Sequence, residues 1–161
     1  MIDTSVELKS YLSFRVGEEY FAINAKHIHS IIELTSITKV PQMPEFMLGI
    51  INLREQAIPV IDTRIQFGIE PTPTSSSSCI IILEVEVNDQ NILIGNLVDA
   101  VSEVIDIEKE KILPTPDIGG KYKSEFLSGV INSEDKFIMI LNIRELLTSD
   151  SIASISTISK Q

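Results

Sequence analysis

The stretch Gly49-Ile50-Ile51-Asn52-Leu53-Arg54-Glu55-Gln56-Ala57-Ile58-Pro59-Val60-Ile61-Asp62 decides the fold of this chain. Isoleucine, leucine and valine dominate both arms of the stretch, and these residues fit the buried surface of a pleated sheet. The polar pair Arg54 and Glu55 interrupts the apolar pattern at its centre. We therefore predict two buried strands joined by a hairpin, with this pair at the tip.

The same pattern recurs 80 positions later, in the stretch that begins at Gly129. Aligning residues 45–67 with 125–147 gives seven identical pairs among 23 positions. Average residue usage would give only about one or two matches by chance. The identical pairs are Glu45/Glu125, Phe46/Phe126, Gly49/Gly129, Ile51/Ile131, Asn52/Asn132, Ile58/Ile138 and Arg64/Arg144. The chain therefore contains two copies of one β unit.

Ten or so short strands in two matched sets predict a mainly β protein built from two small antiparallel barrels or sandwiches. Each half is too small to bury its own apolar face, so we expect one domain over 1–161 with a core shared between the halves. We expect the first half at 11–70, a Pro/Thr/Ser-rich linker at 69–78 and the second half at 79–148. A helix is predicted near 143–147, and a frayed tail at 149–161.

Composition excludes several classes of function. With 23 acidic and 13 basic residues, the chain has a net charge of −10 and lacks the basic face that nucleic acid or an anionic membrane requires. The single cysteine, Cys79, cannot form an internal disulfide, which suits a reducing compartment. The N-terminus does not resemble a signal peptide, and no apolar run is long enough to cross a bilayer. We expect a cytoplasmic protein with no direct membrane insertion.

The candidates for chemistry are weak. His27 and His29 would share one face of a strand, but zinc needs further ligands, so a surface pair is the better interpretation. The serines at 75–78 lack the context of a nucleophile and fit a surface loop. The sequence has no phosphate-binding glycine loop, Cys-x-x-Cys pair or metalloprotease motif. We therefore expect no catalytic residue, no cofactor and no metal.

Three residues of the opening stretch allow two interpretations. Gly49 marks either a sheet corner with close backbone approach or a groove in which a partner helix lies. Arg54 either forms an internal ion pair with Glu33 that orders the hairpin, or donates to a carboxylate of a partner. Pro59 within a strand indicates an edge or a bulge at that point.

Several motifs together resemble the family of CheW-type chemotaxis adaptors. The combination of Gly-x-x-Asn-Leu-Arg at 49–54 with Ile-Pro-Val-Ile-Asp at 58–62 is specific, and the resemblance runs from about residue 11 to 147. Further matching stretches lie at 14–20, 40–41, 44–46, 63–64, 98–104, 126–129 and 143–147. The resemblance implies two five-stranded SH3-like β-barrels in a protein that performs no chemistry.

The resemblance also implies partners. Members of this family couple methyl-accepting chemoreceptors to the regulatory domain of the histidine kinase CheA, in receptor arrays at the inner membrane. The positions that match the receptor-binding groove are Ile28, Ser30, Gly49 and Arg54. For the kinase, the resemblance implies exposed apolar positions of the second barrel, at Ile118, Tyr122 and Phe126.

Two positions depart from the family pattern. Glu55 replaces the glycine that usually follows Asn-Leu-Arg, and Ser30 replaces a frequent carboxylate. Alternative functions are a paralogous adaptor of a pilus or gliding system, a β-barrel metal-binding enzyme that uses the two histidines, and a regulatory fragment of a larger kinase. The initial methionine and the serine-rich tail favour a complete protein over such a fragment.

Overall fold

The computed structural model of the chain describes residues 8–66, 69–70, 73–115 and 126–147. Short helices α1 (Thr63–Gln66) and α2 (Ile143–Leu147) follow the strand pairs of the two repeats, and 3-10 turns cover Ala25–His27 and Lys109–Lys111. The strands are β1 (Leu8–Val16), β2 (Glu19–Asn24), β3 (Ile28–Glu33), β4 (Met47–Leu53), β5 (Gln56–Asp62), β6 (Cys79–Val87), β7 (Gln90–Val98), β8 (Ala100–Glu108), β9 (Leu127–Ser133) and β10 (Lys136–Leu141). The mainly β class predicted from the sequence is confirmed.

The strands form two five-stranded sheets. Sheet I has the order β3-β6-β7-β5-β4, and sheet II has the order β8-β1-β2-β10-β9. The sheets do not coincide with the halves predicted at 11–70 and 79–148, because each sheet contains strands from both. The hairpin β1–β2 of the first half belongs to sheet II, and the hairpin β6–β7 of the second half belongs to sheet I.

Two parallel pairings produce this exchange of hairpins. In sheet II, Ala22 of β2 pairs with Ile140 of β10. In sheet I, Gly95 of β7 pairs with Val60 of β5. All other pairs of neighbouring strands are antiparallel in the part of the chain that the structure describes. Neither half can therefore complete a sheet without a hairpin from the other.

Alternate residues of β6 point to opposite faces of sheet I and pack in two different cores. Ile81 and Leu83 of β6 pack with Phe14 and Phe21 of sheet II in a core shared by both sheets. Ile80 and Ile82, on the opposite face of β6, pack in a core made only of sheet I residues. Sheet II has its own core, which contains Tyr11, Ala22, Ile131, Ile138 and Ile140. Both faces of the first half of β6 are thus buried, which explains the apolar run from Cys79 to Leu83.

In each sheet, a short bridge brings the chain back to the strand at the far edge. Backbone groups of Thr38, which follows β3, exchange hydrogen bonds of 2.8 Å with Ile50 of β4. Leu113, which follows β8, exchanges bonds of 2.9 Å with Val130 of β9. This return from one edge strand to the other is what the predicted barrels require, and it occurs at equivalent places in the two repeats.

Gly49 lies beside the first of these bridges and is buried. Its φ is 147°, and a Cβ at this position would lie 2.2 Å from the carbonyl oxygen of Thr38. A side chain is therefore excluded by both conformation and space. The structure supports the sheet-corner interpretation of Gly49, since backbone of the same chain occupies the place where a side chain would project.

Pro59 lies where β5 can accommodate it. Its antiparallel partner is Ile50, whose N–H and C=O both form hydrogen bonds with Thr38 on the other side of β4. Pro59 therefore faces no backbone acceptor on β4 that would need its missing N–H. The pairing of β5 with β7 begins one residue later, at Val60. Proline therefore removes no hydrogen bond from either ladder, and the register shift between Met47 and Gly49 supplies the irregularity that was predicted nearby.

The two equivalent glycines allow a matched test of this corner. We expect Gly49→Ala to lower the free energy of unfolding by more than about 3 kcal/mol, because alanine would meet backbone and adopt an unfavourable φ. Gly129→Ala would place its Cβ 2.6 Å from the Ile112 side chain, which can shift. Its cost should be smaller, roughly 1 to 2 kcal/mol. Urea denaturation of the two variants measures the difference, and equal losses would contradict this account of Gly49.

Candidate functional site

The tip of the β4–β5 hairpin is an exposed two-residue turn. Arg54 and Glu55 have φ values of 50° and 67°, which are the left-handed angles of a type I′ turn. The Asn52 side chain steadies the turn, because its Oδ1 accepts a hydrogen bond of 2.9 Å from the Glu55 backbone N–H. The hairpin and the residues at its tip are as predicted, and the left-handed φ explains why glycine would suit position 55.

Arg54 projects from this tip with an exposed side chain. Within the described part of the chain, no carboxylate lies within ion-pair distance of its guanidinium. The alternative that Arg54 pairs with Glu33 is therefore wrong. A planar guanidinium held at a hairpin tip is suited to bidentate contact with a carboxylate of another molecule.

The other residues predicted for the receptor lie on the edge strands of the same sheet. Ile28 and Ser30 are half-buried on β3, whereas Gly49 is buried on β4 at the opposite edge. The Ser30 hydroxyl lies 3.2 Å from Nδ1 of the neighbouring His29. Sheet I therefore carries all four predicted positions, two of them on β3 and two on the β4–β5 hairpin.

The residues predicted for the kinase are only partly described. Ile118 and Tyr122 lie outside the described residues. Phe126 is half-buried against the core between the sheets, and its carbonyl accepts a hydrogen bond of 2.7 Å from the Asn142 N–H. The described strands of sheet II carry large exposed apolar side chains at Leu8, Val104 and Phe137, and Phe137 on β10 is 60% exposed.

The strongest polar feature is a buried ion pair at the end of β5. Arg64 is 5% exposed and binds Asp62 in a bidentate manner, with Nε donating to Oδ1 at 3.0 Å and Nη2 to Oδ2 at 2.9 Å. The Arg64 backbone N–H also donates to Oδ1, at 3.0 Å. Hydrogen bonding to Asp62 raises the pKa of Arg64 above its ordinary value, so its charge is permanent.

The same arginine reaches a second buried carboxylate. Its Nη1 lies 3.4 Å from Oδ1 of Asp99, in the link between β7 and β8. The other oxygen of Asp99 accepts a hydrogen bond of 2.6 Å from the backbone N–H of Gly17, at the β1–β2 turn. The network therefore connects β5 of sheet I to the β1–β2 hairpin of sheet II. We call Asp62, Arg64, Asp99 and Gly17 the junction network.

The serine segment contributes to the junction. Ser77 Oγ donates a hydrogen bond of 2.8 Å to the carbonyl of Asp99. Ser75 and Ser78 close a turn through a backbone bond of 3.1 Å and a side-chain bond of 2.9 Å. These hydroxyls thus cap a loop, in agreement with the surface-loop interpretation, although this part of the predicted linker is packed against the body of the protein.

Sequence reasoning did not find the junction network. The sequence places Asp62 and Arg64 at and just after the end of the opening stretch and Asp99 in a separate stretch, and nothing in either stretch connects the two places. The repeat itself conceals the difference, because Arg144 aligns with Arg64 but is exposed, and Asn142 replaces Asp62. The available signal was that Asp62 directly follows the apolar run 58–61 and that Arg64 comes two residues later. Charged residues next to a buried strand are buried themselves only when they are paired.

The histidines lie close in sequence but differ in environment. His27 is half-buried in the turn before β3, and burial, together with the charges of Lys26 and Arg144, lowers its pKa. His29 is exposed on the strand. No group of three or more potential metal ligands occurs among the residues that the structure describes. Within the same residues, no helix is long and apolar enough to cross a membrane.

Comparison with known proteins agrees with this architecture. Residues 10–151 match the model of the CheW-like domain. A probable chemotaxis protein CheW of Rhizobium etli is 30% identical over 140 residues, which cover 87% of this chain and 88% of that protein. The chemotaxis protein CheW of Klebsiella aerogenes is 26% identical over 152 residues, 94% of this chain and 89% of that protein.

A solved structure shows the same fold. The crystal structure of the scaffolding protein TtCheW from Thermoanaerobacter tengcongensis matches with a TM-score of 0.78 and 36% sequence identity, over 90% of this chain and 96% of that one. The chain belongs to the CheW-like domain family. The family predicted from the hairpin motifs is thus confirmed, and the match at residues 10–151 extends over nearly the whole chain.

The two aligned arginines provide a test of the junction network. We expect Arg64→Met to lower the free energy of unfolding by about 3 to 5 kcal/mol, because it leaves two buried carboxylates without their cation. Arg144→Met, at the exposed equivalent position, should change it by less than about 0.5 kcal/mol. Urea unfolding followed by circular dichroism gives both values. A similar, small effect of both substitutions would show that the network contributes no stability.

The departure at position 55 provides a second test. Glu55→Gly should raise the free energy of unfolding by roughly 0.5 to 1 kcal/mol, because glycine relieves the left-handed backbone. Asp135→Gly is the matched variant, since Asp135 occupies the equivalent turn with the same φ of 67°. The thermal midpoint of each variant should rise, and a fall in both would contradict the assignment of strain to these turns.

Proposed function

We propose that the protein is a non-catalytic adaptor of chemotaxis that links methyl-accepting chemoreceptors to the regulatory domain of the histidine kinase CheA. Membership of the CheW-like family supports this proposal, as do the names of relatives that are chemotaxis proteins and a scaffolding protein. In this proposal the protein acts through complementary surfaces alone and changes no bond in either partner. Its place of action is the receptor array at the inner membrane.

The exposed guanidinium of Arg54 is the observation that carries the proposal. Among the described residues no carboxylate pairs with Arg54, and the backbone that carries this side chain is an ordered turn. Its planar guanidinium therefore has less freedom to lose when it binds a carboxylate of a partner. We therefore assign Arg54 to contact with an acidic residue of the receptor tip. Ile28 and Ser30 extend the receptor surface along β3, and Gly49 acts by keeping the β4 corner closed.

Sheet II is assigned to the kinase regulatory domain. Phe137 gives it an exposed apolar side chain on β10, and aromatic side chains often anchor protein interfaces. Ile118, Tyr122 and Phe126 remain the positions that the family resemblance proposes for the same partner. With one partner on each sheet, both can bind at once, as an adaptor requires.

Association with both partners is the direct test of the proposed function. The purified protein should retain a receptor signalling fragment and the CheA regulatory domain in separate pull-downs, and both together when they are mixed. Retention of each partner from the mixture, under conditions that saturate the other, shows that the surfaces are distinct. Absence of binding to both partners would refute the adaptor function.

Substitution of Arg54 tests the receptor surface. Arg54→Ala should weaken binding of the receptor fragment about tenfold or more, the equivalent of one charge-assisted hydrogen-bonded contact. Binding of the CheA regulatory domain and the thermal midpoint should not change, because the side chain is exposed and forms no ion pair with the residues that the structure describes. Arg144→Ala serves as the matched exposed-arginine control. Loss of the folded state in Arg54→Ala, or equal weakening of both partners, would contradict the assignment.

A further inference from the structure

A cleft of about 590 Å³ lies at the hairpin end of sheet I. Its volume is within the range of about 300 to 1,000 Å³ that is usual for ligand pockets. Its apolar part comes from β5 and β7, and its polar rim comes from β3, β6 and the starts of β5 and β7. The residues that carry the argument are Ile58, Ile92 and Leu93 of the apolar part, and His29, Gln56 and Glu84 of the rim.

Sheet II shows what occupies the equivalent place in the other repeat. Because Val60 and Ile140 are repeat equivalents, their partners Gly95 and Ala22 are structural equivalents as well. Two residues earlier on the same strands, Leu93 therefore corresponds to Tyr20. The sequence repeat makes Gln56 the equivalent of Lys136.

These equivalents make a defined contact in sheet II. The Lys136 ammonium lies over the Tyr20 ring, with Nζ 3.8 Å from the ring centroid. A lysine thus covers this end of sheet II with its alkyl stem and cation. In sheet I, the shorter neutral side chains of Gln56 and Leu93 stand at these positions, and the cleft remains open.

The charge of the cleft suits a cation from outside. Glu84 is exposed on β6, and no Lys, Arg or His forms an ion pair with it within the described ranges of the chain. The other polar groups of the cleft are uncharged amides and His29. With a net charge of −10, the protein as a whole also attracts cations and repels anions.

We propose that this cleft binds a lysine side chain of a partner protein, in the place that Lys136 occupies in sheet II. The alkyl stem lies along Ile58 and Leu93, and the ammonium meets the Glu84 carboxylate, with amide oxygens of Gln56 and its neighbours as further acceptors. The rim residue Gln56 directly follows the turn that carries Arg54, but the cleft offers a negative charge where Arg54 offers a positive one. The proposal does not depend on the adaptor function.

Nuclear magnetic resonance of the full-length, ¹⁵N-labelled protein tests the site. The probes are N-acetyl-lysine methylamide, N-acetyl-norleucine methylamide, which has the same four-carbon stem but no ammonium group, and butylammonium. The lysine probe should produce saturable shifts of the amides of Ala57, Ile58 and Leu93, and bind more tightly than both other probes. Equal binding of the norleucine probe would show an apolar cleft without charge selection, and equal binding of butylammonium would indicate a free amine as ligand; either result overturns the proposal.

A pair of variants on one strand provides the control. Glu84→Gln should weaken the lysine probe about threefold to fivefold, as expected for one exposed ion pair. Glu86→Gln removes the same charge two residues further along β6, outside the cleft, and should leave the affinity unchanged. Both carboxylates are exposed, so both variants should fold. Equal effects of the two variants, or none in either, would overturn the site.

Discussion

The structure depends on a single buried cation. Arg64 holds the carboxylates of Asp62 and Asp99 inside the protein, and Asp99 in turn binds the backbone of Gly17. Two carboxylates without their arginine would be costly to bury, so the three charged groups are stable inside only when all are in place. Asp62 and Arg64 lie at the end of β5 and Asp99 directly follows β7, so all three charges lie at one end of sheet I. The hydrogen bond from the Gly17 N–H to Asp99 connects them to the β1–β2 turn of sheet II. The buried network thus couples sheet I to sheet II through the carboxylate of Asp99.

The exchange of hairpins has the same consequence by a different route. Sheet I needs β6 and β7 from the second half of the chain, and sheet II needs β1 and β2 from the first. The core that contains Phe14, Phe21, Ile81 and Leu83 then buries side chains of both sheets together. For an adaptor this arrangement is useful, because surfaces on different sheets keep a constant separation and orientation. In the proposed adaptor, a partner bound to one sheet would be positioned relative to the partner on the other without any movement of the adaptor.

Much of this could be predicted from the sequence. The alternation of apolar residues and the turn residues defined the strands and hairpins, and the internal repeat predicted two equivalent units with a shared core. The choice of partner strand could not be predicted, since β2 and β7 have the same pattern and either could pair with β5 or β10. Arg64 and Asp99 are 35 positions apart, so no local sequence pattern indicates their contact. Arg54 could be placed at the hairpin tip because a tip is a local feature, whereas only the structure shows that no carboxylate of the described residues pairs with it.

The interdependence of the two sheets is the central claim, and native-state hydrogen exchange tests it most directly. The slowest amides of β2, such as Ala22 and Ile23, should exchange with the same free energy as those of β6, such as Ile81 and Ile82, and this value should equal the global free energy of unfolding. A core of one sheet that opens at a free energy lower by about 2 kcal/mol or more, while the other stays protected, would show that the sheets fold independently and would contradict the account.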